Sequence, residues 1–514
     1  MFAFDQLSVL FFNIWQIATD PLSIALLFGS VLLGIMFGAL PGLTATLGVA
    51  LLTTVTYSMS VEIALIALLG IYVGAIYGGS YGSILVNIPG TPAAAATALD
   101  GYPLALRGEG GRALGLTTTA SAIGTIIGMI FIVMLAPAVS DVALKFASYE
   151  FFLLAFLGIM LSGTLAAPDT AIKGWIIGFF GLFLALIGRD ALQFYPRFTF
   201  GIMELDSGID VVPLLIGAFG IPQIISVLTQ DKSKNVRVTT VAKITPEWSA
   251  LAHNVPGIAR ASLIGVGIGA IPGLGEDIAA WVSYGAAKNA SSHPETFGTG
   301  ELQGIVASET ANNACIGGAI IPLLSLGIPG SPPAAMLLGA LILHGVQPGP
   351  MLSVDHPGFI AKVGAIIFLS AIAMWIVGMS LVKHVVKVIQ ISPALFMPIV
   401  AMLCFVGSYA LGLKIFNLYL MIPIGIVCYF LGEMKYPVAP LVIGVILGSM
   451  ADQSLRRGLM VAQGSLSPML TRPVSLILVV CVVLMFVSQV PAYKRLMARV
   501  MASIGRLFHK TDVR

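Results

Sequence analysis

The sequence predicts an all-α polytopic membrane protein made of two related halves, and three observations carry that prediction. The 514-residue chain is 58% hydrophobic and only 10% charged, whereas soluble domains hold about 25% charged residues. Its mean hydropathy is +0.99, and its apolar stretches recur along the whole length. A bilayer span needs roughly 20 such residues, which gives an expectation of about ten to twelve spans. No soluble fold hides this much apolar surface. The third observation is that Pro-Gly pairs interrupt the apolar runs at matching places on either side of one basic loop.

Taken in order, the segment from Phe2 to Ile17 lies in the interface or begins the first span. No cleavable signal peptide is expected, because the first basic residue is Arg107 and the charged n-region is missing. Spans are expected near 21–40, 63–86, 113–136, 148–163, 171–188 and 210–228. A hydrophilic stretch with Lys232, Lys234, Arg237 and Lys243 follows, and spans resume near 257–271, 303–326, 359–382, 394–412, 415–432, 437–450 and 473–490. The resulting division is a first transmembrane repeat at 1–229, a cytoplasmic basic linker at 230–254, and a second repeat at 255–453. A C-terminal span at 454–490 and a cytoplasmic basic tail at 491–514 complete it. The positive-inside rule places linker and tail in the cytoplasm.

The two halves share motifs. Gly34-Ile-Met-Phe-Gly38-Ala-Leu40-Pro41-Gly42-Leu43 matches Gly265-Val-Gly-Ile-Gly269-Ala-Ile271-Pro272-Gly273-Leu274 at six of ten positions, with Leu40 and Ile271 exchanging one aliphatic for another. Further on, Ile88-Pro89-Gly90-Thr91-Pro92 matches Ile328-Pro329-Gly330-Ser331-Pro332. Proline removes a backbone donor, and glycine accepts dihedrals that other residues refuse. A Pro-Gly pair inside an apolar run therefore breaks a helix at membrane depth, where irregular backbone survives only if protein buries it or a watery cavity meets it. Paired interruptions in two halves point to a transporter binding site. Charge favours inverted topology: Arg107 and Arg112 follow the second motif of repeat one, while the equivalent stretch 347–359 of repeat two has no Lys or Arg and carries Asp355 and His356. The fold expected is thus two inverted-topology repeats with broken or re-entrant helices at the Pro-Gly motifs.

Two clusters carry intramembrane polarity. Glu276 and Asp277 directly follow Pro272-Gly273-Leu274-Gly275 and begin a new helix. They serve either as caps on the helix dipole or, with freed carbonyl oxygens, as a site for sodium or a proton. Glu309, Asn312 and Asn313 are three and four residues apart, on one helix face. They are a second candidate for cation binding or coupling, with interhelical hydrogen bonding as the alternative. Around the breaks, Pro41, Gly42, Thr44, Thr46, Asn87, Gly90, Thr91, Pro272, Gly273, Gly330 and Ser331 supply hydroxyls, amides and helix N-terminal N–H groups, a set that suits an anion. No Lys or Arg lies near any break in the sequence, so a multiply charged anion would be bound without arginine clamps and with help from a cation.

Enzyme chemistry finds little support. There is no Walker A loop and no Gly-x-Ser-x-Gly elbow. The six histidines are scattered, and Cys315, Cys404, Cys428 and Cys481 sit singly in apolar segments. An intramembrane hydrolase using Glu309 or Asp277 lacks an evident second acid. The net charge of +3 comes without a basic patch, so nucleic acid is not implied.

The runs Gly38-Ala-Leu-Pro41-Gly42-Leu43-Thr44-Ala-Thr46, Asn87-Ile-Pro89-Gly90-Thr91-Pro92, Gly269-Ala-Ile-Pro272-Gly273-Leu-Gly-Glu276-Asp277, Gly327-Ile-Pro329-Gly330-Ser331-Pro332 and Ser308-Glu309-Thr310-Ala-Asn312-Asn313 resemble the large membrane subunit of tripartite tricarboxylate transporters, the TctA family. The resemblance covers nearly the whole chain. It implies a permease of the bacterial inner membrane that imports small carboxylates on an ion gradient, sodium being the expected ion, with no cofactor beyond possible bound sodium. It also implies two partners: a small membrane subunit (TctB-like) and a periplasmic solute-binding protein (TctC-like). A stand-alone carboxylate exchanger or channel without a binding protein remains the alternative.

Overall fold

A computed structural model describes residues 2–167, 170–229, 244–381, 384, 385, 387 and 395–489. The basic linker is therefore described only from residue 244, and the tail 491–514 lies outside the described residues. Among the described residues the chain is helical apart from one antiparallel pair of two-residue strands, β1 (Gly188–Arg189) and β2 (Pro196–Arg197).

The first helix, α1 (Phe2–Thr19), is an element of its own. Asp20 ends it and caps the next, accepting the Ser23 N–H at 2.9 Å, while Pro21 takes the first helical position of α2 (Pro21–Ala39). At Pro41-Gly42 the chain reverses, with Gly42 at φ +93°, and the short α3 (Ala45–Thr56) starts under a Thr44 cap. The 26-residue α4 (Val61–Val86) follows. Helices α2 and α4 run parallel: Gly34 packs on Ile71 and Gly38 on Ala75, each so closely that a Cβ would collide with a backbone carbonyl. Small residues let membrane helices approach in this way.

Asn87 ends α4 in the left-handed conformation, at φ 55°. The chain then folds back so that the Gly90 N–H reaches the Gly79 carbonyl at 3.3 Å. From there a 3-10 turn at Pro92–Ala94 runs into α5 (Ala95–Leu106), and the long α6 (Gly110–Ala143) comes next. Helices α7 (Ser148–Ala166) and α8 (Ala171–Ala185) pack together. A single span at 211–229 closes this half: α9 (Val211–Leu215), a π-helical turn at Ile216–Gly220, and α10 (Ile221–Thr229).

After the short α11 (Trp248–His253) comes a similar order of elements. Helix α12 (Val255–Gly269) leads to a reversal at Pro272-Gly273, where Gly273 has φ +81°. Then come α13 (Gly275–Ala290), the 25-residue α14 (Leu302–Leu326) and α15 (Pro332–Leu343). Gly327, the counterpart of Asn87, is left-handed at φ 72°, and the Gly330 N–H reaches the Ala319 carbonyl at 3.3 Å. The chain continues through α16 (Leu352–Asp355), α17 (Phe359–Ser380), α18 (Met397–Ala410), α19 (Phe416–Glu433), α20 (Ala439–Val461), α21 (Pro468–Thr471) and α22 (Pro473–Ser488). Helix α20 runs unbroken through residue 453, where the sequence placed the end of the second repeat.

Seven helices among the described residues are long and apolar enough to cross a membrane, fewer than the ten to twelve spans expected from the sequence. The difference has two sources. Helices α8, α12, α18 and α22 stand where spans were expected but are 14–16 residues long. Helices α14 and α20 have the length, but their polar residues lower their hydropathy.

Helix directions follow from named contacts. Gly110 of α6 lies by Leu85 of α4, and Thr118 bonds to Tyr77 at 2.6 Å, so α6 runs antiparallel to α4. Ser121 and Thr125 of α6 bond to Glu309 and Asn313 of α14, so α6 and α14 run parallel. The matching long helices α4 and α14 are therefore antiparallel to each other. Arg112, at the start of α6, pairs with Glu247 at 3.2 Å, which brings this arginine to the described end of the basic linker.

Candidate substrate and ion site

Four helices begin at one place. Thr44 and Thr46 at the start of α3, Thr91 and Pro92 at the start of the 3-10 turn into α5, Gly275 to Ile278 at the start of α13, and Pro332 and Pro333 at the start of α15 all line one cavity of about 440 Å³. That size lies within the range of small-molecule sites, about 300–1,000 Å³. Both reversals and both fold-backs thus aim helix N-termini at a common space, where the helix dipoles favour anions. Helices α3 and α15 leave the cavity packed together, and α13 leaves it packed on α5. Ile76, Leu165, Phe219 and Val438 complete the wall with apolar surface, Phe219 coming from the π-helical turn. Neither Lys nor Arg is among the lining residues.

Of the residues singled out from the sequence, Thr44, Thr46, Thr91, Gly273, Glu276 and Asp277 line this cavity. Thr44 also caps α3, accepting the Leu47 N–H at 3.2 Å. Thr91 is 3% exposed, and its hydroxyl has no hydrogen-bond partner among the described residues. Pro41, Gly42, Asn87, Gly90, Pro272, Gly330 and Ser331 do not line it. Gly42 and the cavity-lining Gly273 form the reversals, Gly42 against Val227 of α10 and Gly273 against Ser162 of α7. Gly90 and Gly330 hold the fold-backs: a Cβ on either would strike the carbonyl of Gly38 or of Gly269. Asn87 is the exposed C-cap of α4.

The two adjacent carboxylates differ. Glu276 is 3% exposed and accepts a short hydrogen bond from the Tyr72 hydroxyl, which also bonds to the Ser331 Oγ at 2.7 Å. Tyr72 thereby joins the intact helix of one half to both broken segments of the other. Asp277 is exposed on the cavity wall.

Glu309, Asn312 and Asn313 lie in α14, all fully buried and outside the cavity lining. The Glu309 carboxylate accepts hydrogen bonds from Ser80 of α4 at 2.6 Å, Thr97 of α5 at 2.5 Å and Ser121 of α6 at 2.9 Å. No cationic side chain pairs with it among the described residues. Asn313 Nδ2 donates to Thr125 Oγ1 at 2.9 Å, an interhelical bond. The Asn312 amide stands next to Glu309 without reaching hydrogen-bonding geometry to any described group. Among the described residues no three His, Cys, Asp or Glu side chains gather as a metal-ligand group.

Sequence reasoning missed Tyr72, Ser80, Thr97 and Ser121. A Ser or Thr hydroxyl in an apolar helix ordinarily bonds back to its own i−4 carbonyl, and a Tyr in an apolar run reads as an ordinary core aromatic, so nothing local distinguishes those that turn toward a carboxylate on another helix.

The TctA model, described as the tripartite tricarboxylate transporter TctA family, matches residues 24–443. An uncharacterized 52.8 kDa protein from the TAR-I ttuC′ 3′ region of Agrobacterium vitis is 34% identical over 461 residues, covering 90% of this chain and 92% of that protein. An uncharacterized protein from the TAR-II ttuC′ 3′ region of the same organism is 33% identical over 221 residues, 42% of this chain and 91% of that protein. No solved structure matches. The motifs that set the four helix N-termini around the cavity all fall inside the matched span, and the chain belongs to the tripartite tricarboxylate transporter TctA family.

Proposed function

We propose that this chain is the permease subunit of a tripartite, binding-protein-dependent secondary transporter that imports small carboxylates, tricarboxylates or related di- and monocarboxylates, on a cation gradient, with sodium as the cation. It works in the bacterial inner membrane, with its C-terminus in the cytoplasm, alongside a TctB-like small membrane subunit and a TctC-like periplasmic binding protein. The observation that carries this reading is the convergence of four helix N-termini on one cavity whose wall has hydroxyls and no Lys or Arg. Such a site suits a carboxylate, and the carboxylates of Glu276 and Asp277 in the same wall call for a cation. Glu309, with Asn312 and Asn313 beside it, is a second place where a cation or proton would neutralise a buried charge.

The architecture supporting this function is a pair of inverted-topology repeats with re-entrant segments at the Pro-Gly motifs. Its support is the antiparallel relation of α4 and α14, the matched left-handed positions Gly42 and Gly273, and the matched left-handed caps Asn87 and Gly327.

The test is uptake of a labelled carboxylate panel into liposomes holding the chain, its small subunit and a purified binding protein, with and without an inward sodium gradient. Sodium-dependent uptake that needs all three components is expected. Uptake by the chain alone, indifferent to sodium, would establish a self-sufficient exchanger or channel instead.

A further inference from the structure

We infer that Asp277 holds a monovalent metal cation that must be in place before the carboxylate enters the cavity. This deepens the transport reading and rests on it.

The charge balance of the cavity leads to the order of binding. Four helix N-termini contribute roughly half a positive charge each, about +2 in total. Glu276 and Asp277, side by side at one of them, bring −2 when both are ionised, and no Lys or Arg lines the wall to offset them. A carboxylate substrate therefore meets a cavity with no net positive charge. Placing further negative charge there, away from bulk water, is unfavourable unless it is compensated. A cation bound first removes that penalty.

The geometry selects Asp277 as its seat. Glu276 is buried and engaged by Tyr72, which is itself tied to Ser331. Glu309 lies outside the cavity lining, its oxygens occupied by Ser80, Thr97 and Ser121. Asp277 faces the cavity with no ion pair among the described residues, next to the backbone N–H of Ala93. Two residues before Ala93, the buried Thr91 hydroxyl lines the same cavity without a hydrogen-bond partner. A carboxylate and an unused hydroxyl are hard oxygen donors, the type that suits alkali and alkaline-earth cations. A proton would need the carboxylate alone and would leave Thr91 unpartnered.

Two measurements test this. Binding of radioactive sodium to the purified chain, without substrate or partners, is expected for wild type, lost in Asp277→Asn, and weakened at least fivefold in Thr91→Val. In the reconstituted three-component system, sodium is expected to lower the wild-type carboxylate KM at least tenfold, and Asp277→Asn is expected to show a KM that no longer responds to sodium. If Asp277→Asn does not fold, the Thr91→Val sodium affinity decides. Wild-type sodium binding retained in either variant overturns the inference. So does a carboxylate KM that is the same with and without sodium, or that responds to pH in place of sodium. Failure of every carboxylate to move would count against the transport reading, while sodium binding to the chain alone still reports on Asp277.

Discussion

Tyr72 shows how one side chain can organise this protein. Its hydroxyl reaches Glu276 and Ser331, 204 and 259 residues away in sequence. Glu309 draws hydroxyls from three other helices in the same way. Replacing it with leucine leaves three buried hydroxyls without their acceptor. A buried polar group left unsatisfied costs about 1–3 kcal/mol, reduced where a hydroxyl turns to its own i−4 carbonyl. Glu309→Leu should therefore lower stability by about 2–4 kcal/mol, seen as a clear fall in thermal unfolding temperature in detergent, while Glu309→Gln stays within about 1 kcal/mol of wild type. A leucine variant as stable as wild type would refute the hydroxyl shell. Backbone contacts make a sharper case. Gly90→Ala and Gly330→Ala drive a Cβ into a carbonyl oxygen of a neighbouring helix, and overpacking of this kind costs about 1–3 kcal/mol or more. Both should lose folded yield on size-exclusion chromatography. Gly267→Ala, with nothing within 4 Å of the new carbon, should be neutral or stabilising.

At the scale of elements, the ends of helices hold most of the local information. Asn87 terminates α4 at φ 55°, a conformation that glycine adopts freely and asparagine tolerates. Asn87→Gly should leave the unfolding temperature close to wild type, whereas Asn87→Val, branched at Cβ, should cost about 1–2 kcal/mol. The connection between α8 and α9 is fastened differently. Asp190 accepts the N–H groups of Leu192 at 2.8 Å and Gln193 at 2.6 Å, and it pairs with Arg197 and Arg456. Burial pushes its carboxyl up, but the Arg456 hydrogen bond and the two backbone donors outweigh burial and hold it at about 2, below its ordinary 3.8. A carboxyl lowered by folding stabilises the fold fully above its unfolded value and loses that contribution as pH falls toward the folded one. Wild type should therefore exceed Asp190→Asn in thermal stability by a constant margin above pH of about 4, and the two should converge as pH falls from there to about 2. A margin that persists unchanged to pH of about 2 would show that Asp190 acts through something other than its charge.

For the whole molecule, the decisive relation is the opposite direction of α4 and α14, on which the proposed inverted repeats rest. Helix α3 turns back at Gly42 and α13 turns back at Gly273, but their long neighbours α4 and α14 run in opposite directions. The loops that follow them, holding the exposed Ser58 and Ser292, should then lie on opposite sides of the membrane. On the proposed orientation, Arg112 and its partner Glu247 at the linker's end lie on the cytoplasmic side, and α12 starts there. Single cysteines at these positions, with the four native cysteines replaced, test this with a membrane-impermeant maleimide. Ser292→Cys is expected to be labelled from the cytoplasm and Ser58→Cys from the periplasm. Labelling of both from one side would rule out inverted repeats.

The sequence by itself determined the solvent, the breaks and most helix positions, because hydropathy, proline and glycine act through their immediate neighbours. The reversals at Pro41-Gly42 and Pro272-Gly273 and the polar face Glu309, Asn312 and Asn313 stand where local chemistry put them. The grouping of Thr44, Thr46, Thr91, Glu276 and Asp277 around one cavity follows from matched motifs, but their unequal roles do not. Only the tertiary structure decided that Glu276 is engaged while Asp277 faces the cavity, that Asn87 is an exposed cap, and that Glu309 is satisfied by three separate helices. These outcomes depend on contacts between residues about 200 positions apart in the chain, and such contacts are set by helix packing, which leaves no periodic or compositional trace in any one segment.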